Sequence, residues 1–162
     1  MEKLHATHEE RKLLARAAKG VLLAQLDLAV GYATGDGLKK DLSQSRYWYQ
    51  KAAEQGESDA AFNLGAMILL GEGGTKSERT AIKWLKHAAT LGSSDACILM
   101  ADIYQSRQTK NSLLESSKLR AQALLLGDKR GIRDFVYCLS EVEEYELRQQ
   151  LAAKFNKLIG FT

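Results

Sequence analysis

The stretch from Trp48 to Gly73 reads WYQKAAEQGESDAAFNLGAMILLGEG, and its parts return further along the chain. Residues 84–92 read WLKHAATLG, and residues 93–101 read SSDACILMA. Trp48 and Trp84 are 36 positions apart, and the alanines and glycines of the two stretches keep the same spacing. A fixed period of this length is the signature of stacked repeats, each of which is one supersecondary unit. The period therefore predicts a solenoid built from helix pairs.

Composition agrees with an all-α fold. The chain has 162 residues, of which 45% are hydrophobic and 27% charged, and it contains no proline. This size and composition suit one globular domain with a sizeable core. The net charge of +3 is small and basic residues alternate with acidic ones, so the pattern does not favour nucleic acid. No apolar run is long enough to cross a membrane, and the start of the chain is charged rather than apolar, so we expect a cytoplasmic protein without a signal peptide.

Glycines and capping residues divide the chain. We predict a single domain of about nine helices, consisting of an N-terminal capping helix, three repeats and a degenerate C-terminal repeat or cap. These cover residues 7–20, 21–56, 57–92, 93–127 and 128–162. Polar residues are expected to open the helices. They are Thr7, Asp41, Ser58, Ser77, Ser94, Ser112 and Ser140. Asp41 with Gln44 and Ser112 with Glu115 have the spacing of a capping box.

The periodic positions predict the core. Ala24, Ala60 and Ala96 recur where one helix would cross its partner closely, so that only a small side chain fits. Trp48 and Trp84 lie four residues before an alanine on the second helix of each pair, which puts both side chains on one helical face. We interpret these tryptophans as core residues rather than as a ligand cage.

The pattern resembles the Sel-1-like repeat, a relative of the tetratricopeptide repeat, whose motif is roughly AxxxLGxxYxxGxGVxKD followed by AxxWYxKAAxxG. The first repeat supplies Ala24, Leu28, Tyr32, Gly35, Gly37, Lys40, Asp41, Trp48, Tyr49, Lys51, Ala52, Ala53 and Gly56. The second repeat supplies Ala60, Leu64, Gly65, Gly71, Gly73, Ala81, Trp84, Lys86, Ala88, Ala89 and Gly92. The third is weaker, with Ala96, Tyr104, Ala123 and Gly127 but neither the loop glycines nor the tryptophan.

The resemblance implies an α-solenoid wound as a right-handed superhelix, with the first helices of the repeats lining a concave groove. It also implies the role of an adaptor or scaffold that binds another protein, and some small bacterial members act as immunity proteins that neutralise a toxin. By analogy with the tetratricopeptide unit, the residues expected to contact a partner lie on the side of the first helices that faces the concave groove. They are Leu26, Val30, Phe62, Ala66, Leu69, Leu70, Asp95, Ile98 and Asp102. Leu23 is a further groove position, and under the alternative interpretation the N-terminal helix packs over Leu23 and Leu26.

Catalytic chemistry finds little support. No serine–histidine–aspartate order, phosphate-binding glycine loop or paired-carboxylate motif is present. His5 and His8, with Glu9 and Glu10, could form a weak metal site, but we interpret them instead as residues of a solvated helix start. Cys97 and Cys138 stand alone and match neither a disulfide framework nor a zinc pattern. We therefore expect no enzyme activity, no cofactor, no metal and no small-molecule substrate.

Two functional hypotheses remain. In the first, the chain is a protein-binding module that seats an apolar helix or extended segment on Phe62, Leu70 and Ile98, while Asp95 and Asp102 pair with basic residues. In the second, the apolar groove is an interface through which the protein assembles with itself or with a larger scaffold. A concentration-dependent oligomeric state would distinguish the second from the first.

Overall fold

The computed structural model describes residues 8–130, together with the single positions 149, 152, 153 and 156. Within this part of the chain there are seven α-helices and no strand, which confirms the predicted helix-pair architecture. They are α1 (His8–Ala18), α2 (Leu22–Thr34), α3 (Leu42–Glu54), α4 (Ser58–Leu70), α5 (Glu78–Thr90), α6 (Ser94–Gln105) and α7 (Lys110–Leu125). The two additional helices that the sequence predicts, and the cap at Ser140, fall outside the described residues, as does the cap at Thr7.

The chain divides into two compact units between His87 and Ala88. In the first unit α2 packs against α1 and α3, and α3 packs against α4. In the second unit α6 packs against α7. Each contact joins neighbours in sequence, which is the pattern of a helical repeat protein.

The periodic alanines and leucines form the core. Ala24, Ala60 and Ala96 are completely buried, as predicted from their 36-residue spacing. Leu28 and Leu64, four residues further along α2 and α4, are also buried. Trp48 belongs to the same core, whereas Trp84 is half-buried. The interpretation of Trp48 as a structural residue is therefore confirmed.

Close helix packing requires a glycine inside α4. A Cβ atom on Gly65 would lie 2.8 Å from the Cγ atom of Leu85 and 3.3 Å from its backbone nitrogen. Normal contacts between carbon atoms are about 3.5–4.0 Å, so no side chain fits at this crossing. The glycine of the repeat motif thus allows α5 to approach α4, and the buried Leu85 side chain fills the space.

The loop after α4 packs against the start of α3. Gly73 adopts a positive φ of 68°, and a Cβ atom there would lie 2.1 Å from the carbonyl oxygen of Leu42. Next to it, Arg46 Nη1 donates a hydrogen bond of 3.3 Å to the carbonyl oxygen of Thr75. The glycine-rich loop of the second repeat therefore covers the first turn of the second helix of the preceding repeat.

Helix α3 begins as predicted, with one difference. The Asp41 carboxylate accepts hydrogen bonds from the backbone N–H groups of Ser43 at 2.9 Å and Gln44 at 3.1 Å. The predicted return bond from the Gln44 side chain is replaced, because the Asp41 N–H donates to the carbonyl oxygen of Tyr32 at 2.9 Å. This backbone bond ties the end of the loop to α2.

Helices α4 and α6 begin at Ser58 and Ser94, as predicted, whereas α7 begins two residues before the predicted Ser112; in all three the capping residue lies just before the first helical residue. Glu57, not Ser58, caps α4 by accepting from the Ala60 N–H at 2.7 Å. Ser93, not Ser94, caps α6. Thr109 caps α7 in a capping box with Ser112, so the predicted pair of Ser112 and Glu115 was wrong. In each case two polar residues lie close together and the first takes the cap, since the second already has helical geometry. The predicted cap at Ser77 is confirmed, because its hydroxyl accepts from the Thr80 N–H at 3.2 Å.

Across the described residues, no helix combines the length and apolar character needed to span a bilayer.

Candidate functional site

Helices α2 and α4 present an apolar surface that the fold does not bury, which we call the α2–α4 face. It consists of Leu23, Leu26, Val30 and Ala33 on α2, and Phe62, Ala66, Leu69 and Leu70 on α4. Leu23 is 66% exposed, Val30 47% and Leu70 66%, whereas the other members are half-buried. The packing of α1 against α2 therefore leaves Leu23 uncovered, contrary to the alternative that the first helix covers Leu23 and Leu26, whereas Leu26 is half-buried.

A cleft of about 270 Å³ is lined by residues of α2, α3 and α4 and of the loops that follow α2 and α4. Ala33 lines it from α2, Asn63 and Ala66 line it from α4, and Tyr49 lines it from α3. Lys40 and Glu72, from the loops that follow α2 and α4, also line this cleft. The cleft joins the two halves of the α2–α4 face and adds polar groups to it.

Several of these cleft residues were not predicted as site residues. Burial of Tyr49 raises the pKa of its hydroxyl, so this group stays protonated and can donate a hydrogen bond. Of the cleft residues, Asn63 could have been predicted from the sequence. It lies 36 positions after Asp27, on the equivalent face of the next repeat. An amide and a hydroxyl beside an apolar strip are the groups that a polypeptide backbone needs for pairing.

The charges on α2 and α4 are few and have one sign. Each helix has 13 residues, and the only charged side chains among them are Asp27 and Asp59. Both carboxylates are exposed. Neither has an ion-pair partner among the described residues. The two helices of the α2–α4 face are therefore apolar with acidic flanks, whereas Lys40 lines the cleft and Asp27 borders a cavity that Lys12 and Arg16 of α1 also line.

In the second unit, Asp102 is already engaged by an arginine of the chain itself. Arg120 on α7 donates hydrogen bonds to Asp102 Oδ1 at 2.7 Å and to Gln105 Oε1 at 2.6 Å. The Arg120 side chain is only 2% exposed, whereas Asp102 is 58% exposed. Removing the carboxylate would leave a buried guanidinium with less compensation, which is costly. Asp102 thus holds α7 on α6, in addition to any role at a surface.

Asp95 is engaged in the same way. Arg130 Nη2 forms an ion pair with the Asp95 carboxylate, and Arg130 Nε donates to Asp128 Oδ2 at 2.9 Å. The hydrogen bond from Arg130 lowers the pKa of Asp128 to about 2 and, together with Asp95, raises the pKa of the guanidinium. Ile98, the remaining predicted contact residue of α6, is half-buried. The predicted role of these three residues in partner binding remains a prediction.

The candidate metal and thiol residues that the structure describes do not converge. Among the described residues no group of three or more histidine, cysteine or acidic side chains is arranged to hold a metal ion. His8 is the exposed first residue of α1, and His87 is exposed on α5. Cys97 is completely buried, which raises the pKa of its thiol to about 11. His5 and Cys138 lie outside the described residues.

Comparison with known proteins identifies the repeats. The model of the Sel1 repeat family matches residues 22–57 and 58–93. Two curated bacterial proteins are similar to part of the chain, both named exopolysaccharide production negative regulator. The protein from Rhizobium meliloti is 38% identical over 78 residues, and the one from Rhizobium leguminosarum bv. viciae is 38% identical over 81 residues. These regions are 47% and 49% of this chain but only 29% and 30% of those relatives.

Solved structures show the same fold. A protective antigen of uropathogenic Escherichia coli with a Sel1-like repeat fold superimposes with a TM-score of 0.73 and 25% identity, over 93% of this chain and 33% of its own. A Sel1 repeat protein from Oxalobacter formigenes gives a TM-score of 0.65 at 24% identity, over 80% of this chain and 98% of its own. Cysteine rich protein B of Helicobacter pylori is 31% identical, with a TM-score of 0.50 over 54% of this chain and 65% of its own.

Sel1 repeats are protein-interaction modules, and the family is generally a non-enzymatic scaffold. The 36-residue period, the buried alanines, the glycine at the α4–α5 crossing and the matched family model all lead to the same assignment. Residues 22–93 are two Sel1 repeats, and the described helices form an all-α fold of the solenoid type seen in solved Sel1-like repeat structures.

Proposed function

We propose that the chain is a non-enzymatic module that binds a segment of another protein along the α2–α4 face. The observation that carries this proposal is the exposure of Leu23, Val30 and Leu70 on α2 and α4, the helices whose Ala33 and Ala66 line the cleft. Contiguous apolar patches on a protein surface mark interaction sites. Covering the half-buried Phe62 and the exposed aliphatic residues is worth on the order of 5 kcal/mol before the costs of association, enough to anchor a helix or an extended segment.

The biological role depends on which protein is bound, and two specific roles have support. The family resemblance supports a small bacterial adaptor or an immunity protein that neutralises a toxin. The names of the two curated relatives support the binding part of a negative regulator of exopolysaccharide production. In each version the chain acts in the cytoplasm by holding a protein, without nucleic acid, membrane lipid or a small-molecule substrate as its ligand.

Capture of partners by the immobilised protein tests the proposal. The test variant is Val30→Asp with Leu70→Asp, since both side chains are exposed and their loss should not unfold the chain. The matched control is Tyr47→Asp with Leu125→Asp, which adds the same charge at exposed apolar residues of α3 and α7. A protein recovered by the wild type and the control, but not by the test variant, is the expected result.

Two other results would contradict the proposal. Equal recovery of partners by all three proteins would exclude the α2–α4 face as the binding surface. Recovery of nothing but the chain itself, lost in the test variant, would instead favour a self-assembling scaffold. Light scattering over a dilution series then measures that assembly directly.

A further inference from the structure

The first helices of the repeats share an unusual charge pattern. Helices α2, α4 and α6 contain four charged residues in all, Asp27, Asp59, Asp95 and Asp102, and none of them is basic. Every charge on these helices is thus a carboxylate. The pattern extends over both units, so it does not depend on one local cap.

Two of these four carboxylates are neutralised by arginines of the chain. Arg120 pairs with Asp102, and Arg130 pairs with Asp95. Asp59 lies 36 positions before Asp95, at the same place in the first turn of its helix. The residue 36 positions before Arg130 is Ser94, so the repeat supplies no arginine at the corresponding position. The ion pair of Asp95 shows that an aspartate in this register accepts a guanidinium.

Asp27 and Asp59 flank the apolar residues of the α2–α4 face. Asp27 is four positions after Leu23 and three before Val30, and Asp59 is three positions before Phe62, so each acid lies one helical turn from an apolar member. An apolar strip with an exposed acid on each helix is complementary to an amphipathic segment that carries basic residues beside its apolar side chains. A partner with acidic residues in those places would be repelled.

From this we infer that the occupant of the α2–α4 face is a basic amphipathic segment of another protein, whose arginine or lysine side chains pair with Asp27 and Asp59. This inference rests on the proposed function and specifies the chemistry of the partner. The ion pairs of Arg120 with Asp102 and of Arg130 with Asp95 are examples of this contact within the chain. We expect the basic residues of the partner to contact Asp27 and Asp59 in the same way. Burial of the apolar strip supplies affinity, and the two carboxylates supply the preference for a basic partner.

Binding of two synthetic peptides tests the inference. One probe is a labelled amphipathic helix of about 18 residues with leucine on one face and arginine on the other, and its counterpart has glutamate in place of arginine. Fluorescence anisotropy measures the affinity of each peptide for the full chain. We expect the arginine peptide to bind at least about tenfold more tightly than the glutamate peptide, and this preference should weaken as salt rises, since exposed charges are screened.

Variants assign the preference to the two aspartates. Asp27→Asn with Asp59→Asn should lower the affinity for the arginine peptide about fivefold, as expected for two exposed pairs. Glu54→Gln with Glu115→Gln removes one exposed acid each from α3 and α7, away from the α2–α4 face, and should change the affinity less than twofold. Thermal unfolding of both variants checks that the fold is intact.

The outcomes separate this inference from the proposed function. If both peptides bind equally, and binding of both is lost in Val30→Asp with Leu70→Asp, the basic-partner inference is wrong and the protein-binding face remains. If the two control substitutions weaken the arginine peptide as much as the test substitutions do, the attraction is non-specific and the inference is also wrong. If the arginine peptide still binds fully to the Val30→Asp, Leu70→Asp variant, the α2–α4 face itself is excluded.

Discussion

Replacing Gly73 by alanine tests whether the glycine-rich loop locks two repeats together. The added Cβ atom would lie 2.1 Å from the carbonyl oxygen of Leu42, 2.5 Å from its carbonyl carbon and 3.0 Å from the nitrogen of Ser43. These atoms are backbone at the first turn of α3, so they cannot rotate away as a side chain would. The loop or the helix must move by about 1 Å to restore a normal contact of about 3.3 Å.

The expected cost has two parts. The positive φ of 68° is unfavourable for alanine by about 1–2 kcal/mol. Forcing the loop away from α3 adds a further cost of about 1–3 kcal/mol, as for other overpacked sites. Gly73→Ala should therefore lower the free energy of unfolding by about 3 kcal/mol, a large fraction of the stability of a typical domain.

The chain offers a matched control 36 positions earlier. Gly37 has a nearly identical φ of 70°, but no described atom lies within 4 Å of the position that its Cβ would take. Gly37→Ala therefore has only the conformational cost. The difference between the two variants isolates the contact of the loop with α3, and it should be about 2 kcal/mol.

Urea denaturation followed by circular dichroism measures both variants. With a denaturant dependence of about 2 kcal/mol per M, the midpoint of Gly73→Ala should be about 1 M below that of Gly37→Ala. Equal midpoints would refute the reasoning, because they would mean that the loop does not press on α3. A reduced denaturant slope in Gly73→Ala would indicate that the loop detaches before the helices unfold.

Three further predictions concern single groups. Asp41→Ala should lower the free energy of unfolding by about 1 kcal/mol in urea titrations, because two N–H groups of α3 lose their acceptor, whereas a change below about 0.3 kcal/mol would exclude this cap. In a Cys138→Ser background, Cys97 should react with a thiol reagent at pH 8 at least about tenfold more slowly in the native state than in urea, because it is buried and few of its thiols are ionised; equal rates would contradict its burial. The hydrogen bond from Arg130 lowers the pKa of Asp128 to about 2, below the value of about 3.9 expected in the unfolded chain. The stabilisation of the fold by the Asp128 carboxylate is therefore present above about pH 4 and is lost as the pH falls through about 2. The stability difference between wild type and Asp128→Asn should shrink over that range, and a constant difference would refute the pairing.

The fold was predictable because the repeat encodes each element twice. Ala24 and Ala60 occupy equivalent buried positions, as do Leu28 and Leu64. The same helix-pair structure in each repeat therefore accounts for the burial of all four residues. The capping residues were less predictable than the helices themselves, since several polar residues lie close together before each helix. Ser93 and Ser94 are equivalent in sequence, and only the backbone geometry at Ser93 makes it the cap.

The state of the acidic residues could not be read from the sequence. Asp95 and Asp102 were predicted as groove acids, but Arg130 is 35 positions from Asp95 and Arg120 is 18 positions from Asp102. No local pattern predicts such a pair, because it depends on where α7 and the segment after it return to α6. The cleft residues Tyr49 and Asn63 escaped prediction for the same reason, as they come from different helices.

The contact between the loop after α4 and the start of α3 also determines where the protein can be cut. The first sequence repeat ends near Gly56. The loop that covers Leu42 in this repeat extends further, to Thr75, whose carbonyl oxygen accepts the hydrogen bond of Arg46. The cooperative unit is therefore longer than the repeat and overlaps the next one. A fragment that stops at Gly56 keeps all of α3 and loses its cover, whereas one that extends to Thr75 retains it.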